Sequence, residues 1–156
     1  IMKDSRIGAF AAIKLCLYLI LQTAVFSQIS SRKTVLLCGL CFILSRTLSG
    51  IAAVTFKAAK SEGTLQCFVT PSHRKITMTV LIILAVLIIS AMTVISPLCG
   101  VSGVMASLLV VMYYRHIAYN EFGGTTGDIA GWFLQLEELT VPIAIVLTEH
   151  IKEVCL

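Results

Sequence analysis

Twenty consecutive residues, Ile76 to Ile95, carry no charge, and Pro97 closes the run. A helix needs about 20 apolar residues to cross the hydrocarbon core of a bilayer. The run is too long for an ordinary strand and too uniform for a half-exposed surface helix, so it predicts a membrane-spanning helix. A second run, Leu98 to Tyr114, follows after a very short turn at Ser96 and Pro97, which makes the two an antiparallel hairpin. Three more stretches complete the pattern: Ile7 to Ile29, interrupted by Lys14; Val35 to Phe56, interrupted by Arg46; and about Ile129 to Leu147, interrupted by Glu137 and Glu138. No internal repeat, low-complexity stretch or linker divides the chain. The expectation is an all-α fold: a polytopic membrane helix bundle with about five transmembrane helices, forming one integral membrane domain over residues 1–156.

Composition points the same way. Of 156 residues, 58% are hydrophobic and 13% charged, and the mean hydropathy is +0.96. A soluble domain is roughly a quarter charged, so too little polar surface is present to coat a globule of this size. A disordered chain, which needs low hydrophobicity and high charge, is excluded. The sequence opens Ile1-Met2-Lys3-Asp4 without an initiator Met or the order of features of a signal peptide. We therefore expect a fragment of a longer protein.

The net charge of +4 is distributed unevenly. With five spans, the N-terminus and the second and fourth loops share a side carrying Lys3, Arg6, Lys57, Lys60, Arg74, Lys75 and Arg115. The opposite side carries Arg32, Lys33 and Lys152. Seven against three predicts a cytoplasmic N-terminus in a cell (inner) membrane. No basic stripe with interleaved aromatics is present, so membrane lipid and not nucleic acid is the expected surrounding partner.

Charges within spans cost a few kcal/mol on insertion scales. Arg46 lies near the centre of its run, in Ser45-Arg46-Thr47-Leu48-Ser49-Gly50. Two readings are open. Arg46 pairs with Glu137 or Glu138 and fixes helix packing, or it acts directly in a polar substrate cavity. Lys14 is shallower, and its long stem lets it snorkel.

The segment Phe122-Gly123-Gly124-Thr125-Thr126-Gly127-Asp128 runs straight into the last span. Glycines permit positive φ and close backbone approach to a ligand, and the threonines add hydroxyls. A glycine-rich loop delivering a helix N-terminus suits an anion such as phosphate. Asp128 either caps that helix or holds a divalent cation against phosphate oxygens. The spacing is not that of a P-loop, which ends in a Gly-Lys pair. Lys3-Asp4-Ser5-Arg6 forms a second polar cluster on the same side, read either as phosphate and metal ligands or as a cap with positive anchors. The cysteines make no metal spacing with His73, His116 or His150 and are expected as free thiols.

Together, Ile1-Met2-Lys3-Asp4-Ser5-Arg6-Ile7-Gly8-Ala9-Phe10 and Phe122-Gly123-Gly124-Thr125-Thr126-Gly127-Asp128-Ile129-Ala130-Gly131 resemble two motifs of the cobalamin synthase (adenosylcobinamide-GDP ribazoletransferase) family. Ser45-Arg46 followed by the Lys57 to Gly63 region also resembles that family's pattern. The order and separation agree over nearly the whole chain. Family members carry an aspartate-rich, magnesium-associated motif upstream of the Lys-Asp-Ser-Arg segment. The resemblance thus implies the C-terminal part of such an enzyme. It implies joining of adenosylcobinamide-GDP to alpha-ribazole, or its 5′-phosphate, with release of GMP and with Mg2+ as cofactor. On this basis Asp4, Asp128 and Arg46 are the expected catalytic residues, with Asp4 and Asp128 on the metal. Lys3, Arg6, Gly123, Gly124, Thr125, Thr126 and Gly127 are expected to hold phosphate.

Two alternatives come from other classes. A CDP-alcohol phosphotransferase does related chemistry, but its run of spaced aspartates is not seen in this sequence. A small transporter or scaffold would use Arg46, Glu137 and Glu138 to line a path or lock helices.

Overall fold

In the computed structural model, residues 8–57, 59 and 74–155 are described. They form five helices: α1 (Ala9–Ser27), α2 (Arg32–Thr55), α3 (Arg74–Ile95), α4 (Pro97–Asn120) and α5 (Gly127–Cys155). All five are long and apolar enough to span a membrane, and no strand occurs among the described residues. The expected all-α bundle is therefore what the chain forms.

The helices overrun the apolar runs at several ends. Hydropathy marks the lipid-embedded stretch, whereas a helix continues wherever its backbone bonds remain satisfied. So α4 runs on through Arg115, His116 and Asn120, and α5 through Glu149, His150, Lys152 and Glu153. At about 1.5 Å per residue, α5 is roughly 43 Å long, more than the hydrocarbon core requires. Ser31 accepts the Lys33 N–H at 3.2 Å and starts α2 three residues before the apolar run does. Ser96 alone links α3 to α4, with Pro97 in the first turn, where its missing N–H costs nothing.

Neighbouring helices run antiparallel. Along α4 and α5, Ser102 meets Ala144, Ser107 meets Glu137, and Tyr114 stacks on Phe133. Such pairs have nearly constant index sums, which only opposed helices give. Lipid supplies little hydrophobic drive between helices, so close approach and polar contacts hold the bundle. Gly100 and Gly103 supply the approach. A Cβ at Gly100 would run into the Met92 carbonyl of α3, and one at Gly103 would stand 3.1 Å from Ile145 of α5. One apolar cluster surrounds Met92 and Ile145; a second surrounds Tyr114 and Phe133.

A polar layer lies between these clusters. Arg46 of α2 pairs with Glu138 of α5 at 2.9 Å, which realises the ion-pair reading. The Ser45 hydroxyl, which donates to the Phe42 carbonyl at 2.9 Å, also lies 3.4 Å from the Glu138 carboxylate. Glu137 points elsewhere: it is buried and accepts the Ser107 hydroxyl of α4. Pro142 lies inside α5, and its ring nitrogen withdraws one helical bond from the Glu138 carbonyl four residues back. The ladder is thus loosened at the carboxylate pair. Lys14 is exposed on α1, about 8 Å below that helix's start, as snorkelling requires.

Alternation places the start of α1, the end of α2, the start of α3, the end of α4 and the start of α5 at one end of the bundle.

Candidate functional site at the glycine-loop end

The link from α4 to α5 is built by backbone geometry. Gly123 has φ 66° and Gly124 φ 156°, values L side chains rarely adopt. They let the chain reverse after α4, and the Gly124 N–H returns to the Ala118 carbonyl at 2.8 Å. Thr125 then meets the segment leaving α2. Its N–H donates to the Lys57 carbonyl at 2.8 Å, and its own carbonyl accepts the Ala59 N–H at 3.0 Å. Gly127 is different: it is already helical, and it is not among the positive-φ glycines.

Two tyrosines of α4 support this bridge, Tyr114 from within the bundle and Tyr119 from its exposed surface. The Tyr119 hydroxyl accepts the Lys57 N–H at 3.1 Å. The Tyr114 hydroxyl bonds the Thr125 hydroxyl, and both residues are buried. Arg115 lies over the Tyr119 ring, 5.9 Å from its centroid.

Thr126 caps α5. Its hydroxyl accepts the Ile129 N–H at 3.4 Å and its carbonyl the Ala130 N–H at 3.0 Å. This corrects the capping alternative for Asp128, which lies inside the first turn and is exposed. A first-turn acid is favoured by the positive end of the helix dipole. Since Thr126 does the capping, the Asp128 carboxylate is left for other partners.

The loop's donors are fewer than its glycine content implies, because the Gly124 and Thr125 N–H groups are spent on Ala118 and Lys57. The N–H groups of Gly127 and Asp128 open α5, and first-turn groups have no partner within their own helix. They and the helix dipole can receive an anion.

Arg46 is not brought to this loop. It lies nine residues before the end of α2, about 14 Å deeper, with its charge met by Glu138. Lys3, Asp4 and Arg6 lie outside the described residues. Gly8, which opens α1, is at the same end as Gly127. Sequence reasoning missed Tyr114, Tyr119 and the Lys57 backbone as supports of the loop. Tyr114 was visible only as the last residue of an apolar run, and nothing local announced its pairing with Thr125.

Among the described residues, no three His, Cys, Asp or Glu side chains gather as a metal cluster. Asp128 offers one exposed carboxylate beside the anion-receptive turn. That fits magnesium, which takes one or two protein carboxylates and completes its shell with phosphate oxygens and water.

Five helices long and apolar enough to span a membrane, with a glycine-rich turn held at one end of the bundle, define a multi-pass membrane protein. The chain belongs to the cobalamin-5-phosphate synthase family, whose model matches residues 1–146. It is 39% identical over 152 residues to an adenosylcobinamide-GDP ribazoletransferase of Lachnoclostridium phytofermentans, covering 97% of this chain and 58% of that protein. Proteins of the same description from Listeria monocytogenes and Pseudomonas fluorescens are each 30% identical, over 94% of this chain and 58% and 59% of their own lengths. The chain thus spans somewhat under three-fifths of the curated relatives it matches. No solved structure matches it.

Proposed function

We propose that this chain contributes the phosphate-holding end of a membrane enzyme that joins adenosylcobinamide-GDP to alpha-ribazole, or its 5′-phosphate, and releases GMP. The observation that carries the reading is the Gly123–Asp128 turn, fixed at the mouth of α5 in a chain of this family. The family membership favours this reaction over CDP-alcohol phosphotransfer or a transport role.

A ribazole hydroxyl attacks the phosphorus next to the cobinamide; the new P–O bond forms as the P–O bond to GMP breaks. Little covalent chemistry falls to the protein, which must align the groups and neutralise charge. The Gly127 and Asp128 N–H groups receive phosphate oxygens, and Lys3 and Arg6 add positive charge from the chain leading into α1. Asp128, with Asp4, would hold magnesium, which supplies charge neutralisation on those oxygens when bound. The bias of basic residues supports a cytoplasmic position for this end, in a cell (inner) membrane.

The test is GMP release by the full-length protein in detergent with magnesium. Asp128→Ala and Asp4→Ala are each expected to lower the rate at least ~100-fold, the scale of lost positioning and charge stabilisation. Near-normal rates in both variants would overturn the assignment of roles.

A further inference from the structure

We propose that Tyr114 is a positioning residue for this reaction: through Thr125 it sets where the Gly127–Asp128 turn meets the diphosphate. The inference rests on the proposed function above and deepens it.

Tyr114 is 1% exposed, and its ring packs between Phe56, 5.5 Å away at the end of α2, and Phe133, 4.7 Å away on α5. Three elements therefore fix the ring before the hydroxyl does anything. A phenylalanine would fill the same space. What the hydroxyl adds is one directed bond to the Thr125 hydroxyl.

Thr125 is the most constrained point of the loop. It is 3% exposed, and its N–H and carbonyl are both tied to the chain leaving α2. Tyr119, five residues along α4, accepts the Lys57 N–H from the other side of the bridge. Both strands of the bridge thus hang on hydroxyls of one helix. Thr126 follows at once as the cap of α5, then Gly127 and Asp128. Only one peptide unit separates the anchored residue from the cap, so a shift of Thr125 carries the phosphate-facing turn with it. Displacements near 1 Å at a reacting group cost about 100-fold in rate. A partial release by loss of one hydroxyl is expected to cost about 10-fold.

The test compares Tyr114→Phe, Thr125→Val, Thr125→Ser and the Tyr114→Phe/Thr125→Val pair in the full-length protein in detergent. Steady-state GMP release and amide hydrogen exchange over residues 123–128 are both read. Tyr114→Phe and Thr125→Val should each lower kcat/KM about 10-fold, and the double variant should be no worse than either. Thr125→Ser keeps the hydroxyl and should restore the rate. Exchange should quicken within the turn and stay unchanged in the middle of α4. Wild-type kcat/KM in Tyr114→Phe, or losses that multiply in the double variant, would overturn the positioning role. If the wild type releases no GMP, the functional reading fails by itself. Exchange then decides the anchoring: quickening confined to 123–128 supports it, and unchanged exchange ends it.

Discussion

Arg46 of α2 and Glu138 of α5 meet at 2.9 Å, yet they are unequally covered: the arginine side chain is 63% exposed and the glutamate 12%. The two halves of the pair therefore cost different amounts to lose. Without Arg46, a carboxylate is stranded between helices with only Ser45 at 3.4 Å to serve it. Without Glu138, the arginine can still swing its long stem toward the interface.

Arg46→Leu should accordingly destabilise the bundle by about 2–3 kcal/mol, near the cost of an unpaired buried charge after partial relaxation. Glu138→Gln should cost roughly 1 kcal/mol. Denaturant titration in micelles, followed by helix content, measures both. The exchange Arg46→Glu with Glu138→Arg should recover part of the loss. Equal losses in the two single variants would contradict the asymmetry.

The second acidic position behaves otherwise. Glu137 accepts the Ser107 hydroxyl at Oε1, and its Oε2 has no partner among the described residues. Ser107→Ala should cost about 1–3 kcal/mol, since it leaves a buried acceptor unmet. Replacing both partners, as Ser107→Ala with Glu137→Leu, should recover much of this, because two apolar groups leave nothing unsatisfied. The same micellar unfolding assay separates these outcomes.

The architecture was legible because lipid imposes a length and a uniform apolarity that show in a single sequence, as Ile76 to Ile95 does. The charges inside the spans were equally visible. Their partners were not: Glu137 and Glu138 are adjacent in sequence, but the helical turn of about 100° per residue aims one at α4 and the other at α2. The glycine loop was recognisable by composition, while its anchoring was not. The bond between Tyr114 and Thr125 and the bridge from Thr125 to Lys57 depend on how three helices end together. No local spacing encodes that.

Close helix approach supplies another test. A Cβ at Gly100 would meet the backbone carbonyl of Met92, and the Thr93 nitrogen lies only 2.9 Å from it. Backbone at a one-residue hairpin has little room to yield. Gly100→Ala should therefore destabilise by about 1–3 kcal/mol, the usual scale of overpacking. Gly39→Ala, where nothing lies within 4 Å of the added carbon, should be neutral or slightly stabilising through helix propensity. The comparison uses unfolding midpoints of the two variants under one set of conditions.

The glycines of the loop look alike in sequence and divide sharply in structure. Gly123 has open space around it but holds φ 66°. An alanine there fits sterically and still strains the backbone by about 1 kcal/mol, while asparagine tolerates that region better. Gly127 is helical with open space about it, so an added methyl leaves the fold untouched. Its methyl would instead stand beside the N–H groups that open α5, where the diphosphate is proposed to lie. Gly123→Ala should thus lower the melting temperature and GMP release together, and Gly123→Asn should restore most of both. Gly127→Ala should keep the wild-type melting temperature and raise KM for adenosylcobinamide-GDP. A Gly127→Ala protein with unchanged KM would move the phosphate away from the mouth of α5.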